Sequence, residues 1–133
     1  MKIVGCKKIV GGSGEGVALV SSQPINFLAM VDAKTGKITD SKHEIYDMSL
    51  KGAVLVFPNA IGSSVGAYVF YSLRESGTAP AAIVCSRADI TTASGCAIAS
   101  IPVVDLPKKK PLSAVASGTR VRVDADKGTI ATV

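Results

Sequence analysis

The clearest hydrophobic pattern lies in the middle of the chain. Residues 53–57 form a continuous apolar run, which is typical of a short strand buried on both faces. Past Ser64 the apolar residues recur at helical spacing and Gly77 supplies a stop signal, so a helix is predicted there. Strand, sharp loop and helix follow one another, with Gly62, Ser63 and Ser64 at the junction. Because a helix N-terminus carries unpaired N–H groups and attracts anions, hydroxyl groups placed there can cap, bind or react.

The rest of the pattern predicts an alternation of strands and short helices. Strands are predicted at residues 8–10, 17–20, 37–40, 81–85, 101–105, 119–124 and 129–133, a helical turn over 86–93 ended by Gly95, and a short helix over 112–117. The glycine-rich residues 11–16 match no phosphate-binding template, so a turn between strands is preferred there. Strands that alternate with helices favour a parallel core. The predicted fold class is α/β, and a compact β/β/α domain accommodates the strands at both ends.

Composition and length narrow the class of protein. At 133 residues the length predicts one domain, spanning residues 1–133. A hydrophobic content of 47% with 19% charged residues is typical of a folded chain. No apolar run approaches the ~20 residues that span a bilayer, and the first residues lack the apolar segment of a signal peptide. We therefore expect a cytoplasmic protein, and three cysteines without framework spacing fit a reducing compartment.

The net charge of +5 does not indicate a nucleic-acid-binding protein. Aromatic residues are 5% of the chain and the cations are dispersed, so stacking platforms and a basic stripe are both lacking. The exception is the run from Lys108 to Lys110, which lies between Pro107 and Pro111. A solvated linker is the preferred interpretation of this run, and docking on an acidic partner or steering of a substrate is the alternative.

The residue types that ligate metals are sparse. Cys6, Cys85 and Cys96 lie 79 and 11 positions apart, whereas an iron-sulfur cluster normally needs three or four converging thiolates. Buried, inert cysteines are therefore preferred. His43 is the only histidine, and a lone histidine cannot make a metal site, so a surface or structural role is predicted. We expect no metal site in this chain.

The paired serines are the remaining candidates for a catalytic role. Residues 62–66 match the nucleophile elbow Gly-x-Ser-x-Gly only in part, and His43 precedes the serines, outside the order of that hydrolase fold. On spacing alone, helix capping by Ser63 and Ser64 is preferred over catalysis. A reactive serine needs a neighbour that lowers its pKa. If Ser63 reacts, another polypeptide is expected to complete the site.

A set of short segments occurs in a characteristic order along the chain. The segments are Gly16-Val-Ala-Leu-Val-Ser21, Pro24-Ile-Asn-Phe27, Val31-Asp32, Thr35-Gly36, the loop with Pro58, Gly62-Ser63-Ser64 and Gly66, Thr78-Ala-Pro-Ala81, and Ile101-Pro-Val103. Together they resemble one family, the swivel domain of the aconitase X proteins. The resemblance covers about residues 8–133. No single motif in it is specific, but the order is.

The resemblance implies a fold, a partner and an activity. The fold would be a swivelling β/β/α domain. The chain would be the small subunit of a two-subunit hydro-lyase, inactive alone, whose large subunit carries an iron-sulfur cluster, expected to be of the 4Fe-4S type. The implied substrate is (R)-5-phosphomevalonate, dehydrated to trans-anhydromevalonate 5-phosphate on a mevalonate-type route to isoprenoids. Alternatives are cis-3-hydroxyproline or another hydroxy acid in the same family, and a non-catalytic or phosphocarrier swivel module, which the tail at residues 118–128 resembles.

The resemblance also implies roles for the residues of the loop. Ser63 corresponds to the proton-abstracting serine of the family, and Gly62 and Ser64 to substrate contacts. The family often has Arg where this chain has Ile61 and Ser where it has Ala67, so a substrate contact at those two positions is in doubt. Dehydration beside a carboxylate needs a base for the α-proton and a Lewis acid for the hydroxyl. The candidate for the base in this chain is Ser63. Serine is a poor base, so N–H groups at a helix start would have to stabilise its alkoxide.

Overall fold

The computed structural model describes residues 2–133 and consists of short strands and helices. The strands are β1 (Ile3–Gly5), β2 (Lys7–Val10), β3 (Ser13–Val20), β4 (Val54–Phe57), β5 (Ala82–Cys85), β6 (Val103–Asp105), β7 (Arg120–Asp124) and β8 (Thr129–Thr132). The α-helices are α1 (Phe27–Met30), α2 (Ala67–Glu75) and α3 (Ile90–Ala99), and 3-10 turns lie at Ser64–Gly66 and Leu112–Ala114. None of the helices within residues 2–133 is long and apolar enough to cross a lipid bilayer.

The strands form one sheet whose two parts run differently. Their order is β1-β8-β7-β3-β4-β5-β6-β2. The central strands β3, β4, β5 and β6 are parallel, as predicted. The flanking strands are antiparallel. Strand β3 belongs to both parts, since residues 13–17 pair with β7 and residues 18–20 with β4. The chain therefore passes from one layer into the next within a single strand.

Two hydrophobic cores lie on opposite faces of the parallel strands. The helices cover one face, where Leu55, Phe57 and Ile83 pack with Phe70 and Leu73 of α2. The antiparallel strands cover the other face, where alternate residues of the same parallel strands meet them, as Val54, Val56, Val84, Val121, Val123 and Ile130 do. Both faces of the parallel strands are thus buried, which explains their continuous apolar runs. The predicted fold class, a β/β/α arrangement, is confirmed.

The helix after β5 differs from the prediction. It begins at Ile90, capped by Asp89, and runs through Gly95 to Ala99. Gly95 does not end it, because the end is formed by Ser100 in the left-handed region at φ 57°. A Cβ atom at Gly95 would come within 2.6 Å of Phe70 Cδ2, so this glycine permits close approach of α2 and α3.

The first part of the chain also departs from the prediction. Strand β1 was not predicted, and β3 begins at Ser13, so that Gly11 and Gly12 alone connect it to β2. Within β3, Gly14 passes so close to the Ala81 carbonyl that a Cβ atom would lie 2.0 Å from its oxygen. The predicted strand at residues 37–40 is reduced to isolated bridges at residues 37 and 38. Gly14 in β3 therefore marks close backbone approach instead of a turn.

Candidate active site

The loop that carries the paired serines lies at one edge of the parallel strands. It follows β4 and leads, through the 3-10 turn Ser64–Gly66, directly into α2. The carboxyl ends of parallel strands open to the same edge of the sheet, where ligands of open α/β sheets bind. The structure brings Gly62, Ser63 and Ser64 together there in one exposed turn.

Hydrogen bonds to two other segments of the chain hold this loop. The Ala60 N–H donates to Asp89 Oδ1 at 2.8 Å. The Ile61 N–H donates to the carbonyl of Ile25 at 3.0 Å, and Ile25 and Ala60 form a parallel bridge. Because Asp89 Oδ2 also accepts from the Thr92 N–H at 3.0 Å, one carboxylate fixes both the loop and the start of α3.

Gly62 adopts a conformation that other residues avoid. Its φ is +94°, and a Cβ atom there would lie 2.5 Å from Asn26 Nδ2. Asn26 cannot move freely, because its Oδ1 accepts from the Ala29 N–H at 3.1 Å and caps α1. Glycine is therefore required for backbone reasons at the residue before Ser63, whatever its contact with a substrate.

Ser63 caps the helical segment that follows. Its Oγ accepts a hydrogen bond from the Val65 N–H at 3.2 Å, and its carbonyl accepts from the Gly66 N–H at 2.9 Å. The capping function predicted from spacing is present. The same N–H group is the kind of preformed donor that stabilises negative charge developing on an oxygen. Capping and alkoxide stabilisation are thus compatible at Ser63. Ser64 is also exposed and lies beside it on the outer surface.

The three cysteines do not fit an iron-sulfur cluster. Cys85 and Cys96 are buried in the core under the helices, whereas Cys6 packs against the core on the other face of the parallel strands. Burial raises the pKa of Cys85 and of Cys96, and burial with the nearby Asp124 carboxylate raises the pKa of Cys6 to about 11. Cluster ligands are thiolates, so these separated and protonated thiols are unsuitable. Residues 2–133 contain no group of three or more His, Cys, Asp or Glu side chains that could hold a metal ion.

His43 has a structural role. It is 7% exposed. Its Nε2 donates to the Pro24 carbonyl at 3.0 Å and its Nδ1 accepts from the Ile45 N–H at 3.3 Å. Since both ring nitrogens are occupied, the phosphocarrier alternative has no free histidine to carry the phosphoryl group.

Sequence reasoning missed Asp89, whose carboxylate holds the loop, and Asn26, whose side chain lies against Gly62. Each of them precedes a helix and accepts a hydrogen bond from the third residue of that helix. A capping residue before an apolar stretch is a recognised signal for the start of a helix, and Asp89 could have been used to predict where α3 begins. The second contact of each residue, with Gly62 or Ala60, is made across the fold and left no local signal.

Comparisons with known proteins identify the family. The sequence model described as aconitase X swivel domain matches residues 3–132. The chain is 46% identical over 130 residues to the phosphomevalonate dehydratase small subunit of Thermococcus onnurineus, covering 98% of this chain and 97% of that protein. It is 42% identical over 127 residues to the protein of the same name from Methanothermobacter thermautotrophicus, covering 96% and 97% of the two chains.

A solved structure supports the same assignment. The crystal structure of Thermococcus kodakaraensis aconitase X in its holo-form superposes with a TM-score of 0.93 at 41% identity, covering 100% of this chain and 99% of that one. The resemblance found from the ordered motifs is confirmed, and the chain belongs to the aconitase X swivel domain family.

Proposed function

We propose that this chain is the small subunit of a two-subunit hydro-lyase that dehydrates (R)-5-phosphomevalonate to trans-anhydromevalonate 5-phosphate. The observation that carries the proposal is its near-full-length similarity to archaeal chains named phosphomevalonate dehydratase small subunit. Such a reaction belongs to a mevalonate-type route to isoprenoids. A cytoplasmic location is consistent with this role.

Ser63 is the base in this proposal. As an alkoxide, its Oγ takes the proton α to the substrate carboxylate and becomes a neutral hydroxyl, while the substrate loses hydroxide from the adjacent carbon. The geometry supports the role because Ser63 is exposed and its Oγ already accepts from the Val65 N–H. Since a preformed N–H donor costs no reorganisation when charge develops, this bond lowers the energy of the alkoxide. Ser64 and Gly62 would contact the substrate from the same turn.

The remaining chemistry is assigned to a large subunit that carries an iron-sulfur cluster, expected to be of the 4Fe-4S type. When bound, such a cluster supplies a Lewis acid for the departing hydroxyl. The cysteines of this chain do not fit it, as their burial and separation indicate. Within residues 2–133, the hydrogen-bond partner of Ser63 Oγ is a backbone N–H, and in this proposal the large subunit supplies the group that deprotonates it.

Reconstitution with the large subunit tests the activity. The isolated chain should fold without catalysing dehydration, and anaerobic mixing with the large subunit from the same source should produce dehydratase activity. A substrate panel should favour (R)-5-phosphomevalonate over cis-3-hydroxyproline. Turnover by the isolated chain would contradict the two-subunit assignment, and a preference for cis-3-hydroxyproline would move the function to the alternative substrate.

Ser63→Ala tests the assigned base. Turnover of the assembled complex should fall by roughly 10²–10⁴-fold, the usual contribution of a positioned proton-transfer group. Loss of the cap should cost about 1 kcal/mol of stability, and complex formation should persist. Ser64→Ala is the control, because it changes a neighbouring exposed hydroxyl without removing the cap. Equal, mild losses of turnover in the two variants would remove the catalytic role of Ser63, and a larger loss in Ser64→Ala would transfer it to Ser64.

A further inference from the structure

An apolar groove lies between α2 and α3, immediately beside the Ser63 turn. It has a volume of about 560 Å³ and is lined by Ser64, Val65, Ala67, Tyr68, Tyr71, Ser94 and Ile98. Two of its side chains are unusually exposed for apolar residues, with Tyr68 at 72% and Ile98 at 68%. We call these lining residues the α2–α3 face. Exposed apolar patches of this kind mark interaction sites.

The segments that form the face are free of charge. Residues 61–73 and residues 90–104 contain no Asp, Glu, Lys or Arg in a chain that is 19% charged. Solvent-facing helix surfaces normally carry charged residues. Charged residues lie at the end of α2. Arg74 donates to the carbonyls of Ala99 and Ser100 at 2.8 and 3.0 Å, which ties α2 to the end of α3. Glu75 hydrogen-bonds to the Tyr71 side chain, so a carboxylate borders the groove at that end of the helix. Depletion of charge with exposed tyrosine is typical of the core of a protein interface.

We propose that the α2–α3 face docks the large subunit through an uncharged, apolar surface of that subunit. This inference rests on the proposed function. Ser64 and Val65 belong both to the groove and to the turn that presents Ser63. A chain that contacts the Ser63 turn would therefore also lie against this end of the groove. The face lies next to the reacting hydroxyl, so one docking event would bury the apolar residues and close the site.

Introducing one charge into the face tests the proposal. Ile98→Glu places a carboxylate in the groove, and Ile3→Glu is the matched control. Ile3 is 61% exposed on β1, in the antiparallel layer on the side of the sheet away from the helices. Both positions are exposed, so both variants should fold, which circular dichroism and thermal melting would verify. The dissociation constant for the large subunit should rise at least 30-fold in Ile98→Glu and less than threefold in Ile3→Glu.

Turnover at saturating large subunit separates docking from chemistry. Ile98→Glu should recover most of the wild-type turnover once the complex is formed, because Ile98 lies in α3 and not in the Ser63 turn. Wild-type affinity in Ile98→Glu would overturn the docking proposal and leave the dehydratase assignment intact. So would a wild-type homodimer that Ile98→Glu disperses without weakening the large-subunit complex. A tight wild-type complex that Ile98→Glu weakens, but that does not dehydrate (R)-5-phosphomevalonate, would support docking while removing the proposed function.

Discussion

Replacing Gly62 by alanine should disable the site by displacing Ser63. Gly62 combines two restrictions, a φ of +94° and contact with the Asn26 side chain, whose Nδ2 would lie 2.5 Å from an added Cβ atom. Gly77 offers a matched control, because it shares the positive φ, at +72°, but has nothing within 4 Å of the added atom. The difference between the two alanine variants therefore isolates the contact with Asn26.

The expected magnitudes follow from these contacts. Placing an L-residue in the left-handed region costs about 1–2 kcal/mol, which both variants should lose. Gly62→Ala must also push Asn26 away from the Ala29 N–H that it caps, and loss of such a cap costs about 1 kcal/mol more. At this chain length each kcal/mol lowers Tm by roughly 4 °C. A displacement of Ser63 by about 1 Å would cost roughly 10²-fold in turnover, whereas Gly77→Ala lies at the far end of α2 and should leave turnover per folded complex unchanged.

Thermal melting of the chain and turnover of the assembled complex measure these effects. Asn26→Ala should be destabilising alone but should relieve the clash in the double variant, so the double variant should be about 1 kcal/mol more stable than the sum of the single effects. The reasoning would be refuted if Gly62→Ala and Gly77→Ala lost the same stability and the same turnover. Strict additivity of Asn26→Ala and Gly62→Ala would refute the steric explanation specifically.

Two further predictions concern the cysteines. Cys85→Ser and Cys96→Ser should each leave the iron content of the assembled complex unchanged. Each should lower the free energy of unfolding by about 1–3 kcal/mol in a denaturant titration, because each buries a new hydroxyl. Loss of iron from a folded variant would show that the cluster has been assigned to the wrong subunit. Burial and the Asp124 carboxylate raise the pKa of Cys6 to about 11. The folded state therefore keeps the thiol proton to a higher pH than the unfolded chain does. The contribution of the protonated thiol to stability should be full below about pH 9 and lost as the pH rises toward 11. Unfolding titrations across that range should show a smaller decline in Cys6→Ala than in the wild type, and equal declines would contradict the assignment.

The parallel core could be predicted because its signal is local. Strand β4 has all four of its residues buried, and so does β5, so each appears in the sequence as an unbroken apolar run between turn residues. Strand β7 alternates buried and exposed residues because one of its faces lies against the core, and this pattern was also predicted. The junction at Ser63 followed from the change in hydrophobic spacing alone.

The errors have a common physical origin in contacts between distant parts of the chain. Gly95 was interpreted as a helix stop, but its lack of a side chain is explained by Phe70, which lies on another helix. For His43 the sequence predicted a surface or structural role without choosing between them, and the contact that shows the structural role is made with the Pro24 carbonyl, 19 residues away. Asp89 bonds to the Ser63 loop across 29 positions. Since such contacts leave no periodicity, the fold has to be known before these residues can be interpreted.

Two requirements of the proposed site, the position of Ser63 and its activation, are met in different ways. Position is fixed internally, because the loop is hydrogen-bonded to Asp89 and to Ile25, and neither contact needs a partner. Within the described residues, the donor to Ser63 Oγ is a backbone N–H. Under the proposed function, Ser63 is therefore positioned but not activated in the isolated chain, and it would abstract a proton only in the assembled enzyme. The proposed docking of the large subunit on the α2–α3 face fits this arrangement, because an apolar contact there would exclude water from the same turn and so strengthen the Val65 N–H bond to the alkoxide.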